Sequence, residues 1–359
     1  MTRIMLTADT VGGVWRYSLD LARGMIAEGI EPVLVLLGPP PSARQAAEAR
    51  AILGLQTIPT SLPLDWTARN PAELRSAAAA LAGLAIRLRV DSVHLHTPAL
   101  AAQAPWSVPV VAVAHSCVKT WWKAVRGGAL PDDLAWRAEF MAQGLAEADI
   151  VIAPTQAFAA DLMDAYHPER AIEVVHNGRA PMPRADVPRG RGVMTAGRLW
   201  DDGKNVGALD RAASRLDCEV VGAGPLAGPN LARVAFNHLR APGPLSEADL
   251  AREMASKTVY CAPARYEPFG LAILEAAQAG MALTLADIPS FRELWDGAAL
   301  FFHPDDDGGL RDALLRALDM PDHMAALARE RAAAFTVDSM VAATVGLHGP
   351  MSYTPGEFA

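Results

Sequence analysis

Short apolar runs alternate with longer stretches rich in Ala, Leu and Arg along almost the whole chain. Runs at 3–8, 32–37, 92–95, 109–114 and 150–153 read as strands, and a second series follows at 193–195, 219–221, 234–236, 258–261 and 282–285. Between them, 15–28, 71–88, 135–146 and 269–279 carry apolar residues at the spacing of a helix with one buried face. Strands separated by helices return to their sheet by crossing its face, which makes the pairing parallel and the crossovers right-handed. The expected class is α/β.

The two series are separated by residues 180–192, Ala-Pro-Met-Pro-Arg-Ala-Asp-Val-Pro-Arg-Gly-Arg-Gly, with three prolines, two glycines and no apolar periodicity. Such a stretch continues neither helix nor sheet and reads as a linker. A chain of 359 residues is also the length of roughly two domains. The expected division is 1–180 and 181–334. Ligands of paired α/β domains collect at the carboxyl ends of the strands.

Composition removes several classes. With 51% hydrophobic and 20% charged residues the chain is a folded protein, and no apolar run reaches the length of a membrane-spanning helix. The start, Met-Thr-Arg-Ile-Met-Leu-Thr-Ala-Asp, lacks the basic and apolar regions of a signal peptide. Cys117, Cys218 and Cys261 are odd in number and widely spaced, which reads as reduced thiols in a cytoplasmic protein, without zinc spacing. A formal charge of -8 disfavours nucleic acid as a partner. The acid lies mainly in the second half: residues 1–180 hold 15 Lys and Arg against 17 Asp and Glu, whereas 181–359 hold 17 against 23.

Three segments carry chemistry. The first is Arg265-Tyr266-Glu267-Pro268-Phe269-Gly270-Leu271-Ala272-Ile273-Leu274-Glu275, after the strand ending at Cys261. Pro268 and Gly270 mark a tight turn into a helix, so the amides of Phe269, Gly270 and Leu271 sit where a helix start favours phosphate. Glu267 precedes the turn and Glu275 follows it by more than one helical turn. One carboxylate then reaches a sugar and the other the ribose hydroxyls. The structural alternative is a glutamate favoured by the dipole plus an exposed helical one. The second segment, Gly197-Arg198-Leu199-Trp200-Asp201-Asp202-Gly203-Lys204, follows the first strand of the second half and offers a guanidinium fork and a point charge to a diphosphate. In the third, Gly12 and Gly13 follow the first strand and open a helix, allowing close backbone approach to an anion.

Other features have a plainer reading. Gly222-Ala223-Gly224 hints at dinucleotide binding, but no ribose-binding acid ends an obvious next strand, so it reads as a βα turn. His94 and His96 share one strand face without a carboxylate partner and do not read as a metal pair. His115 ends the strongest strand of the first half, where it is either a donor to a substrate oxygen or a satisfied strand-end histidine. Between Lys119 and Arg126, Trp121 and Trp122 alternate with cations, as in a helix packing one indole inward or a peripheral membrane contact.

Taken in order, these residues resemble the GT-B glycosyltransferases of retaining family 4. The resemblance rests on Glu267…Glu275, on Gly197-Arg198-Leu199…Lys204 and on Gly12-Gly13. It extends to His94-Leu95-His96, Ala153-Pro154-Thr155, Asn177-Gly178 and Pro244-Leu245-Ser246, and so covers nearly the whole chain. It implies two Rossmann-like parallel-sheet domains, a terminal helix over about 335–359 crossing back onto the first, and a nucleotide-diphosphate sugar donor, with UDP, GDP and ADP all open. Arg198 and Lys204 would take the diphosphate with the amides of Gly270 and Leu271 and with Gly13, Glu275 would hold the ribose, and Leu245 would flank the base. Glu267 would contact the donor sugar and His115 would lie near the reacting carbon. Retention of anomeric configuration without a metal or other cofactor is also implied. The acceptor would be a saccharide, lipid-linked or small-molecule hydroxyl. Arg198 and Lys204 stand one residue further apart than is usual in that family, Asn205 replaces a common glycine and Ala264 a frequent serine. Rival readings are a nucleotide-sugar epimerase or phosphorylase on the same architecture, a non-catalytic nucleotide-sugar binder, and a dinucleotide oxidoreductase using Gly222 and Gly224.

Overall fold

A computed structural model describes residues 2–228 and 231–349. Two compact units divide the chain. The first takes residues up to Lys123, Gly127–Gly178 and the chain from Val337, and the second takes Ala124–Arg126 and Arg179–Thr336.

The first unit holds strands β1 (Arg3–Asp9), β2 (Glu31–Leu37), β3 (Gln56–Pro59), β4 (Ser92–Leu95), β5 (Val110–Val113), β6 (Ile150–Ala153) and β7 (Glu173–Val174). Its helices are α1 (Gly13–Ala27), α2 (Ala43–Arg50), α3 (Pro71–Leu88), α4 (Val118–Val125), α5 (Asp132–Glu147) and α6 (Gln156–Tyr166). The second unit holds β8 (Gly192–Ala196), β9 (Glu219–Ala223), β10 (Arg240–Gly243), β11 (Val259–Ala262), β12 (Ala282–Ala286) and β13 (Leu300–Phe302). Its helices are α7 (Val206–Ala213), α8 (Glu247–Ser256), α9 (Leu271–Gln278), α10 (Pro289–Trp295), α11 (Asp307–Asp319) and α12 (Pro321–Ala332), and α13 (Val337–Leu347) rejoins the first unit.

Both sheets are parallel. Their orders are β3-β2-β1-β4-β5-β6-β7 and β10-β9-β8-β11-β12-β13. Each order reverses once, between β1 and β4 in one sheet and between β8 and β11 in the other. That reversal opens a crevice beyond the strand ends, where doubly wound sheets bind ligands. The central strands are buried because helices cover both faces: β4, β5, β11 and β12 are buried at every residue, β4 with Ser92 and His94 among them.

Local signals set the helix starts. Asn70 accepts the amide of Glu73 with Pro71 at the first helical position, so α3 begins where the sequence predicts. Thr155 and Ser246 cap α6 and α8 in the same way. The linker after β7 is free of helix and strand up to Gly192. One predicted strand is absent: 234–236 is irregular, and the edge position goes to Arg240–Gly243 instead. Asp210 accepts the amides of Asn237, His238 and Leu239 at 2.8–3.1 Å, which folds the chain here into a loop before it can pair.

Candidate active site

In the second unit, β8 runs out of the sheet at the reversal point and its end is fixed from below. The buried Tyr260 on β11 donates its hydroxyl to the Ala196 carbonyl at 3.1 Å and accepts the Ala196 amide at 3.2 Å. Gly197 then turns at φ +144° and donates its amide to Ala223 at 3.0 Å. The neighbouring Gly224 has φ +148°, and a Cβ there would stand 1.8 Å from the Gly197 carbonyl oxygen. The glycine of the Gly222-Ala223-Gly224 segment is therefore required by the close passage of two backbones within the unit.

Beyond Gly197 the cationic loop is built on side-chain caps. Asp201 accepts the Gly203 amide at 2.9 Å, and Asp202–Lys204 form a single 3-10 turn. Asn205 ends it in the left-handed region at φ 51°, a conformation Asn tolerates and the reason it can stand in for glycine. Its side-chain amide donates to the carbonyls of Pro263 and Pro304 at 3.0 Å each, while its oxygen accepts from Arg265 at 2.6 Å. The Gly203 carbonyl accepts the amides of Arg265 and Tyr266 at 2.9 and 3.2 Å. The loop carrying Lys204 is thus fastened to the segment carrying Glu267.

These fastenings bring predicted residues together. Lys204 Nζ forms an ion pair with Glu267 Oε2, both side chains mostly buried. Arg198 pairs with Asp201 at 3.1 Å, and its guanidinium carbon lies 5.7 Å from the centre of the Trp200 ring. Ser290 donates to the Glu267 carbonyl at 2.6 Å and holds the turn. Gly270, at φ +89°, precedes the first residue of α9, Leu271, whose side chain is half-buried. The Phe269 side chain is buried and meets Phe335 edge-on at 5.8 Å, so it belongs to the core, and only the backbone at this position is suited to a ligand. Gly197, Lys204, Ala262, Glu267, Gly270 and Ile273 line one small recess.

Glu275, one turn into α9, is 8% exposed and accepts Nε of Arg179 at 2.7 Å. Arg179 Nη2 donates to Glu247, the first residue of α8, at 2.9 Å. Sequence reasoning missed Arg179, because a lone arginine after Asn177-Gly178 at a domain border has no periodicity to mark it. Leu245, half-buried, packs on the core of this unit just before the Ser246 cap of α8.

The remaining predicted residues belong to the first unit. Gly12 precedes α1 with open space where a Cβ would stand, and Gly13 is the first residue of the helix. His115, half-buried past the end of β5, meets Tyr17 edge-on at 4.6 Å, and its Nε2 has no protein partner. Burial and then the neighbouring His96 push its pKa down to about 3, so its ring is neutral at physiological pH. His94 bonds Tyr17 and His348, each at 3.1 Å, while His96 bonds Thr7 at 2.8 Å. Among the described residues no group of three or more His, Cys, Asp or Glu could hold a metal ion. Trp121 and Trp122 on α4 are both half-buried. No described helix is long and apolar enough to cross a membrane.

The model of Glycosyltransferase Family 4 matches residues 11–181, and that of Glycosyl transferases group 1 matches residues 190–320. The chain belongs to glycosyltransferase family 4. Its two family matches break inside the proline-rich linker. Among curated relatives, the phosphatidyl-myo-inositol mannosyltransferase of Mycolicibacterium smegmatis is 32% identical over 167 residues, 44% of this chain and 43% of that protein. The Mycobacterium leprae protein of the same name is 27% identical over 258 residues, 64% of each chain, so less than two thirds of either relative is spanned. The family 4 fold recurs in sucrose-phosphate synthase from Thermosynechococcus elongatus, with TM-score 0.75 at 15% identity over 97% of this chain and 98% of the other. Anabaena Alr3699/HepE in complex with UDP and glucose gives 0.73 at 15% identity over 97% and 99%, and the lipopolysaccharide glycosyltransferase WaaG gives 0.72 at 16% over 97% and 100%. At these identities the likeness establishes the GT-B fold, two Rossmann-like parallel-sheet domains.

Proposed function

We propose that this family 4 enzyme moves a sugar from a nucleotide-diphosphate sugar to an acceptor hydroxyl with retention of configuration. The observation that carries the reading is the Lys204–Glu267 ion pair at the β8–β11 reversal point, beside Arg198 and the start of α9. A diphosphate entering this crevice exchanges with the carboxylates for the two cations. Lys204 leaves Glu267 and Arg198 leaves Asp201, and each gains a more highly charged partner. Glu267, relieved of Lys204, is then an acceptor for donor-sugar hydroxyls.

The chemistry follows from charge. As the anomeric carbon–oxygen bond loosens toward an oxocarbenium-like state, negative charge grows on the leaving diphosphate. Once exchanged from their carboxylates, Arg198 and Lys204 stabilise it together with the Gly270 and Leu271 amides. In this reading the Glu267 carboxylate is engaged by the donor-sugar hydroxyls, so the acceptor oxygen approaches from the face the diphosphate leaves, and a phosphate oxygen takes its proton. Arg198 and Lys204 supply the positive charge that a metal would otherwise bring. The neutral His115 contributes a hydrogen bond to an oxygen near the reacting carbon rather than a charge. Mannosyl transfer by the mycobacterial relatives and UDP binding by the Anabaena protein both support a nucleotide-activated hexose.

A panel of UDP-, GDP- and ADP-sugars, followed for nucleotide release and for the anomer formed, tests this. One donor is expected to bind and to leak slowly by hydrolysis with retained configuration. Failure of every donor to bind overturns the reading, and an inverted product overturns its stereochemistry.

A further inference from the structure

Arg179 is 6% exposed and has two carboxylate partners: its Nε donates to Glu275 at 2.7 Å and its Nη2 to Glu247 at 2.9 Å. Its backbone is held as well, since Gln278 donates to its carbonyl at 2.8 Å and its own amide donates to Phe335 at 3.4 Å. The residue therefore joins the first turns of α8 and the middle of α9 at one planar group. A guanidinium holds its donors in one plane at fixed angles, so the carboxylate on Nε is aimed relative to the one on Nη2, which an ammonium does not do.

We infer that Arg179 is the positioning residue that orients the Glu275 carboxylate toward the ribose diol of the nucleotide. This rests on the proposed donor site, in which Glu275 holds the ribose. Two features make orientation necessary. Glu275 is buried on a helix face, so its charge requires a compensating cation, and the structure provides Arg179 rather than the phosphate-site cations. A carboxylate has about four lone-pair positions, enough to accept from a guanidinium and from a vicinal diol at once, provided its plane is set. Through Glu247 the same guanidinium also fixes the start of α8, directly after the Leu245-Ser246 turn that would flank the base. A single arginine thus ties the two elements that would read the nucleoside.

The experiment compares each of UDP, GDP and ADP with its 2′,3′-dideoxy counterpart by calorimetric titration, on the wild type and on Arg179→Met and Arg179→Lys. Wild type is expected to favour the ribonucleotide by about 10- to 100-fold, the contribution of a charge-assisted hydrogen bond. In both variants that ratio should fall to within about threefold, while the dideoxy nucleotide keeps its affinity. A merely structural arginine would weaken both ligands alike and leave the ratio intact. If Arg179→Met does not fold, Arg179→Lys decides, because it keeps the charge and lacks the fork. A preserved ratio in a folded variant overturns the inference while leaving the donor site standing. A wild type that ignores the ribose hydroxyls overturns the ribose role of Glu275, and the inference with it.

Discussion

At the scale of single residues, the candidate site is a set of cations already neutralised by acids. Arg198→Ala and Lys204→Ala should each weaken nucleotide-diphosphate binding by about 1.5–3 kcal/mol, the range of charge-assisted contacts, and titration calorimetry reads this directly. Unchanged affinity in both removes them from the site. Glu267→Gln separates binding from turnover. Because Glu267 holds Lys204 before the diphosphate arrives, the amide should leave nucleotide affinity unchanged or raise it, while kcat falls by about tenfold or more. An equal loss in both would contradict a sugar-facing carboxylate. The sequence singles out Arg198, Lys204, Glu267 and Glu275 as candidates because each stands at a fixed distance from a strand end or a turn. It does not reveal the Lys204–Glu267 pair, nor Arg179, whose partners lie 68 and 96 residues away along the chain. Sequence spacing reports local geometry only, and these contacts are made by the sheet.

At the scale of elements, the glycines divide into two kinds. Gly224 is demanded by the fold: a Cβ would stand 1.8 Å from a backbone oxygen, and its φ is +148°. Gly224→Ala should cost about 2–4 kcal/mol and lower the melting midpoint by about 5–15 °C. Gly12 stands in open space with an extended φ of -162°, so Gly12→Ala should change stability by about 1 kcal/mol or less. If Gly12 serves approach of an anion, donor turnover falls in that variant while its melting midpoint does not move, and unchanged turnover removes it from the site. The strands show a similar division. Those the sequence missed or misplaced, β3, β7, β10 and β13, are the four sheet edges. Edge strands are short and only partly covered, so β3, β7 and β10 lack the continuous apolar run that marks a strand buried on both faces, and β13 is apolar but only three residues long. β3 reads exposed at both ends and β10 alternates with solvent. Central strands such as β4 and β6 fell on the predicted residues, because burial on both faces fixes their composition.

At the scale of the whole molecule, the chain leaves its first unit at Gly178, builds the second and returns at Val337. The return is closed in the first unit by a line of buried polar groups. Ser92 bonds His348 at 2.9 Å, His348 bonds His94 at 3.1 Å, and His94 bonds Tyr17 at 3.1 Å. Burial holds His348 down to about 4 and His115 down to about 3. His94 lies well below its ordinary value, first through burial and then through His348 and His115. His96 is lowered by burial against the opposing pull of Asp9 and Asp65. All four therefore bind protons more readily unfolded, from about 6.5 downward. Where the unfolded chain takes up more protons, stability falls as pH falls, by about 1.4 kcal/mol per pH unit for each such histidine once below its unfolded pKa. The stability of this unit should be fully present above pH 7 and be lost progressively from about pH 6.5 toward 4, before most carboxylates titrate. Urea midpoints of the first unit at pH 7.5 and 5.5 measure it, with His348→Gln as the comparison. That variant removes one buried titrating group, so its midpoint should fall less steeply with pH even though it starts lower. A midpoint independent of pH across this window would show that these histidines are charged in the folded protein, and an equal slope in the variant would remove His348 from the set.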